Sequence, residues 1–130
     1  MNNLELVNHL YDSFSNKNIK EIIKILHLDV EWGEPENPYN PAGGTRNGIN
    51  GFLEWVNIGK QNEEILRLNI TKMLTDENTV AVIGNMECLA LPTGKTYKSD
   101  FVHIIEIADN KILKFQEYFD TYIAGEAFKM

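Results

Sequence analysis

Leu4, Val7, Leu10, Tyr11 and Phe14 recur at three- and four-residue intervals, the spacing of one helix face, and predict an amphipathic first helix. Ser15-Asn16-Lys17-Asn18 interrupts the pattern. Asn18 followed by Glu21 has the form of a capping box, opening a second helix with Ile19, Ile22, Ile23 and Leu26 as its buried stripe. From Asp29 to Glu34 the period drops to two, so a short strand places Val30, Trp32 and Glu34 on one face. Residues 35–48 contain Pro35, Pro38, Pro41, Gly43 and Gly44 and read as a loop. A third helix follows, with Ile49, Phe52, Leu53 and Val56 turned inward and Trp55 at the margin of the stripe.

The second half alternates as strands over 64–75, 79–91, 96–108 and 111–119. Asp76-Glu77-Asn78, Pro92-Thr93-Gly94-Lys95 and Asp109-Asn110 supply turns between them. Asp120 is placed to cap a short last helix that carries Ile123, Ala127 and Phe128 inward. Three helices, an antiparallel four-strand meander and a closing helix predict one α+β domain over residues 1–130.

The strand faces locate the candidate chemistry. On the last strand, Leu113, Phe115, Glu117 and Phe119 share a face on which Glu117 is the only charge; on the strand before it, Ser99, Phe101, His103, Ile105 and Ile107 share a face on which His103 is the only ionisable group. A hairpin closed at Asp109-Asn110 brings the two strands together, so His103 and Glu117 can meet across the sheet. An isolated buried carboxylate is costly and tends to protonate, whereas a carboxylate beside an imidazole can orient it and hold a mobile proton near neutral pH. A register error or a wet sheet edge would instead make Glu117 an ordinary exposed residue. Glu34, before Pro35, either ends a solvated strand or faces the same interior; Trp32, Tyr11 and Phe14 serve equally as core or as pocket wall.

Composition narrows the classes. At 130 residues, 43% hydrophobic and 24% charged, the chain can bury a core without staples. The net charge of −7, with twelve scattered Lys and Arg, argues against nucleic acid as a partner. No apolar run approaches the roughly 18 residues of a membrane span, and the acidic start Met1-Asn2-Asn3-Leu4-Glu5 does not read as a secretory signal. Cys88 is the single cysteine, without a sequence-adjacent cation, so an inert core thiol in a cytoplasmic protein is expected. His9, His27 and His103 lack metal-ligand spacing, and no nucleophile elbow, Walker loop or dinucleotide fingerprint occurs; neither a metal nor a cofactor is expected.

Asn16 to Pro35 resembles the opening of SnoaL-like domains: a short break, a helix, then an aromatic–x–polar–Pro strand ending. Val102-His103-Ile104, the Leu91-Pro92-Thr93-Gly94-Lys95 turn and the stretch from Lys111 through Phe115-Gln116-Glu117-Tyr118-Phe119-Asp120-Thr121-Tyr122 are similar to later parts of the same domains, so the resemblance spans nearly the whole chain. It implies the nuclear transport factor two-like, ketosteroid isomerase-like superfamily: a cone-shaped barrel of curved, mostly antiparallel sheet around N-terminal helices, with an internal pocket. In SnoaL-type polyketide cyclases a histidine and an aspartate act together; the matching positions are His103 and Glu117, the acid here being one methylene longer. The isomerases' general-base aspartate before a proline matches Glu34, but their tyrosine position falls at about Leu10, beside Tyr11. In limonene epoxide hydrolases one carboxylate matches Glu117, while an arginine and a second aspartate fall at Gly84 and Met86, which disfavours epoxide hydrolysis.

Two readings follow. The first is an acid–base isomerase, cyclase or dehydratase acting on a small apolar carbonyl compound. Glu117 or Glu34 would be its base and His103 its donor or shuttle, with Tyr11, Phe14, Trp32, Trp55, Phe101, Phe115 and Phe119 lining the substrate site. The second is a non-catalytic ligand-binding module of the same fold. Val102, Ile104, Ile83, Leu89 and Leu91 on the opposite sheet face predict a homodimer.

Overall fold

Asn2, not only Asn18, opens a helix. The computed structural model describes residues 1–130, and in it α1 (Asn3–Ser15) starts with a reciprocal capping box: Asn2 Oδ1 accepts from the Glu5 N–H at 2.9 Å, and Glu5 Oε1 accepts from the Asn2 N–H at 3.2 Å. Leu6, Val7, Leu10, Tyr11 and Ser13 are buried while Leu4 is 42% exposed, so the inward face is turned away from the predicted stripe at its start. α2 (Ile19–Ile25) has a single cap rather than the expected box: Asn18 accepts from the Glu21 N–H, but the Glu21 carboxylate binds Lys24 and lies 3.3 Å from His9.

β1 (Leu26–Glu34) begins directly after α2, three residues before the predicted start. The 35–48 stretch is not all loop: Gly44–Asn47 forms β2, antiparallel to β1, with Trp32 opposite Arg46. Gly-Thr-Arg-Asn carries no apolar alternation, so only backbone pairing reveals this strand. α3 (Gly48–Asn62) buries Phe52 completely and half-buries Trp55 and Val56, whereas Leu53 is 37% exposed, contrary to expectation. β3 (Glu63–Asp76), β4 (Thr79–Ala90), β5 (Lys95–Ala108) and β6 (Lys111–Phe119) follow as an antiparallel meander. In α4 (Thr121–Phe128), capped by Asp120, Ala124, Ala127 and Phe128 are buried but Ile123 is 40% exposed, again contrary to expectation.

The six strands form one sheet in the order β2-β1-β6-β5-β4-β3, antiparallel except for the parallel β1–β6 pair. β2 and β3 are free edges, so the curved sheet is open rather than a closed barrel. Strict alternation along β4 buries Val80, Val82, Met86, Cys88 and Ala90 on the inner face. Asp109 and Asn110 turn the β5–β6 hairpin with φ of 54° and 57°, the paired positive values that a tight two-residue hairpin requires. One departure matters for the core. Glu106 pairs with Lys114 and Ile107 with Ile112, so Leu113 sits in a bulge and Ile112 returns to the inner face, where it is fully buried. Leu91 lies beyond β4, in the turn, and is 44% exposed.

Gly84 sits on the inner face of β4, where an added Cβ would collide with the Asn69 carbonyl oxygen and lie 2.7 Å from Phe101 Cζ. An arginine here, as epoxide hydrolysis by the resembled enzymes would need, has no room. Gly33 is also crowded, but by the end of the Gln116 side chain, which can swing aside. Gly84→Ala is therefore expected to destabilise the fold by about 1–3 kcal/mol, the usual cost of overpacking, and Gly33→Ala by less; urea unfolding of the two variants beside the parent checks the order.

Candidate active site

Hairpin register puts His103 directly opposite Glu117, and the parallel β1–β6 pairing, with Trp32 beside Phe115 and Gly33 beside Gln116, brings Glu34 alongside Glu117. Three adjacent strands thus carry Glu34, Glu117 and His103 in one row across the concave face. His103 Nε2 lies 2.7 Å from Glu117 Oε2, with side-chain exposures of 5% and 13%. From α1, Tyr11 Oη reaches His103 Nδ1 at 2.5 Å. Both imidazole nitrogens are therefore engaged, and His103 is the middle of a Tyr11–His103–Glu117 chain rather than its end. Burial first, then the Glu117 charge, pushes the Tyr11 phenol above its ordinary value, so Tyr11 stays protonated and acts as a donor. A carboxylate on Nε2–H leaves Nδ1 to accept from Tyr11; a second proton on the ring reverses that bond and frees the Tyr11 O–H for another acceptor.

Glu34 is held from two sides: the Trp55 indole N–H donates to Oε1 at 3.1 Å, and the Asn40 amide donates to Oε2 at 3.0 Å. Burial, then the charges of Glu117 and Glu63, outweigh these bonds and raise its carboxyl to about 8, so Glu34 is a neutral acid at pH 7. It is not a solvated strand end.

The aromatic residues make a box rather than a smooth pocket wall. Trp32 stacks on Phe115 at a centroid distance of 4.0 Å and meets Phe52 edge-on at 4.7 Å, with Trp55 and Phe14 at 5.2 and 5.9 Å. Phe101 stacks on His103 at 4.4 Å. Trp32, Phe52 and Phe101 have 1% exposure or none, so no water-sized space touches them, while Phe14, Trp55, Phe119, Glu34 and Glu117 are only partly buried. Two polar clefts lie elsewhere, one including Arg67, Lys98, Asp100 and Asp120, the other Glu36, Asn37 and Asn40. The indole N–H of Trp32 is buried without an acceptor, an arrangement that costs about 1–3 kcal/mol if nothing else supplies one.

Sequence reasoning missed Glu63. It is the first residue of β3, one position ahead of the predicted strand, and alternation backwards from Ile65 would have put it on the inner face. Tyr97 O–H donates to Glu63 Oε2 at 2.7 Å, with the buried Cys88 thiol against both. Burial raises Glu63 to about 7, the Tyr97 bond opposing and the Glu117 charge adding to the shift. Burial and then Glu63 push the Cys88 thiol up to about 12, as expected of an inert core cysteine. No three His, Cys, Asp or Glu side chains form a metal cage, and no helix is long and apolar enough to cross a membrane.

The SnoaL-like domain model matches residues 7–115, which includes Tyr11, Glu34, Glu63 and His103. The chain belongs to the SnoaL-like family. Solved structures share the fold of this SnoaL-like domain over its whole length. An NTF2-like protein from Burkholderia pseudomallei superposes with a TM-score of 0.92 at 21% identity, covering 100% of this chain and 99% of that one. TerC, co-crystallised with polyporic acid, gives a TM-score of 0.88 at 29% identity and 98% coverage of both chains. A candidate isomerase from Rhodopseudomonas palustris gives 0.77 at 15% identity, covering 98% and 96%. No curated protein matches the sequence.

Both raised carboxyls make the stability of this SnoaL-like domain depend on pH. Folded Glu34 and Glu63 retain protons that the unfolded chain releases above about 4.5, so their contribution is intact below that value and is lost as pH rises through about 7 and 8. Unfolding free energy is expected to fall across this window by roughly a few kcal/mol, and Glu34→Gln to flatten the decline; urea denaturation at stepped pH measures it.

Proposed function

We propose that this protein is an acid–base enzyme that moves a proton on a small, largely apolar carbonyl compound. The observation that carries the reading is the pairing, on neighbouring strands, of a carboxylate tied to an imidazole with a carboxyl held neutral: Glu117 on His103, and Glu34 raised to about 8. Environments that drive two acids apart in this way assign one as base and the other as acid. Glu117, its Oε2 fixed by His103, takes the proton next to the carbonyl with its free Oε1. Glu34 donates to the carbonyl oxygen as charge develops there, and the Tyr11–His103 arm accommodates the proton that Glu117 acquires. The aromatic box excludes water. The co-crystallisation of TerC with polyporic acid supports a small organic ligand. Isomerisation, cyclisation and dehydration all begin with this step.

A non-catalytic ligand-binding module is favoured by one observation: both His103 nitrogens are already satisfied and the ring is 4% exposed. Deuterium entry at the α-carbon of 3-cyclohexen-1-one in D2O separates the two. The enzyme reading expects exchange above the buffer rate, falling roughly 10²–10⁴-fold in Glu117→Gln and weakening above pH 8 as Glu34 ionises. No exchange by the parent protein returns the module.

Assembly belongs to the same proposal. Ile83, Val102 and Tyr118 lie in a line across the convex face of the sheet, beside Ala81 and Ile104, with Tyr118 55% exposed. This patch suits a second copy of the chain, leaving the concave face to the ligand. Light scattering is expected to give about twice 14.9 kDa, and Ile104→Glu to return the monomer mass. The lone, buried Cys88 fits a reducing compartment such as the cytoplasm.

A further inference from the structure

Between β1 and β2 the chain makes a strap, residues 35–43, that grips two parts of the molecule at once. Its centre is the turn Asn37-Pro38-Tyr39-Asn40, closed by the Asn40 N–H on the Asn37 carbonyl at 3.1 Å. At one end Asn40, 7% exposed, donates to Glu34 Oε2 at 3.0 Å. Its own Oδ1 accepts from the Ala42 N–H at 3.0 Å, and a backbone N–H can only donate, so the amide orientation is fixed with Nδ2 turned to Glu34. At the other end Asn37 Oδ1 accepts from the Tyr39 N–H at 2.9 Å, which leaves Nδ2 to donate to the Thr121 carbonyl of α4 at 2.6 Å. Arg46, from β2, gathers the carbonyls of Pro41, Ala42 and Gly43 and holds the return half of the strap.

α4 is shaped for this contact. Gly125 is buried one turn after Thr121, and a Cβ there would stand 2.7 Å from Asn37 Nδ2, 3.1 Å from Oδ1 and 3.3 Å from Cγ. The three atoms nearest that Cβ all belong to the Asn37 amide, so a residue that weakens the helix makes room for Asn37. We infer that Asn37, docked on α4 at Gly125, is a positioning residue for Glu34 and acts through the turn that ends in Asn40. Asn37 bonds to the Thr121 carbonyl and its own turn, not to Glu34. The inference rests on the proposed role of Glu34 as proton donor and adds that α4, far along the chain, sets it. A hydrogen bond to a carboxylate is stronger than one to a neutral carboxyl, so a seated turn favours ionised Glu34 and a displaced turn favours the neutral acid. The other groups that face Glu34 are the Trp55 N–H from α3 and the charges of Glu117 on β6 and Glu63 on β3. Their side chains bond to Glu34, His103 and Tyr97 respectively, and not to the turn.

Carbon-13 NMR of protein labelled at the glutamate side-chain carboxyls reads Glu34 without any substrate. Gly125→Ala displaces the free end of a flexible side chain and is expected to move the Glu34 titration above the parent's value of about 8, as is Asn37→Ala. Asn40→Ala is expected to do the same. Gly125→Ala added to Asn40→Ala is expected to give no further movement, because the effect passes through Asn40. Ala127→Gly loosens α4 at a residue whose carbonyl is bonded to Thr93 rather than to the strap, and should leave the titration where it is. In the α-exchange of 3-cyclohexen-1-one, the alkaline fall should move upward with the titration in Gly125→Ala. An unmoved titration in both Gly125→Ala and Asn37→Ala overturns the inference. So does a movement that Ala127→Gly reproduces, or one that adds to that of Asn40→Ala. These results leave the proposed function standing. A parent protein that exchanges no α-deuterium overturns that function instead, and with it the donor role that the turn serves.

Discussion

The 2.7 Å contact between His103 and Glu117 joins β5 to β6 on a sheet face otherwise made of Phe101, Ile105, Ile107, Ile112 and Phe115. Neither group can be left alone there, since an unpartnered buried charge or donor costs more than the pair returns. The contact therefore fixes what surrounds it. Register cannot slip by one residue without turning one of the two to the solvent face, and Tyr11 must supply the second partner of the ring, which ties α1 to the sheet. Phe101 and Phe115, on either side, shut out the water that would otherwise weaken the pair.

The same arrangement accounts for Glu34. Its strand is parallel to β6, so it ends beside Glu117, where burial first and then the Glu117 charge make a second negative charge unfavourable. The carboxyl responds by keeping its proton, with Trp55 and Asn40 holding its two oxygens in place. His103 bonds one of the two neighbouring acids and not the other, and Glu34 is the one held neutral, a division of labour that needs no metal ligand and no special backbone strain. Glu63 is subject to the same burial, moderated by Tyr97.

Much of this was legible in the chain because strand alternation and hairpin closure are local. The Asp109-Asn110 turn sets the register that places His103 opposite Glu117, and lone polar residues on apolar faces stand out at once. Features set by tertiary contact were not legible. The partner of His103 Nδ1 comes from 92 positions away, on a helix where Tyr11 reads equally well as core. The bulge at Leu113, the short β2 and the inward turn of Glu63 depend on backbone pairing that the side-chain pattern does not encode. Nor does the side-chain pattern show that Trp32, Phe52 and Phe115 pack against one another as a tight aromatic box.

Burial beside Glu117 keeps Glu34 protonated at neutral pH. Carbon-13 NMR of protein labelled at the glutamate side-chain carboxyls reads this directly, with Glu34→Gln assigning the resonance. A carboxyl carbon titrating near 8 and missing from the variant is the predicted result. A Glu34 signal that titrates near the ordinary 4.5 would mean that Glu34 is ionised at neutral pH and no proton donor.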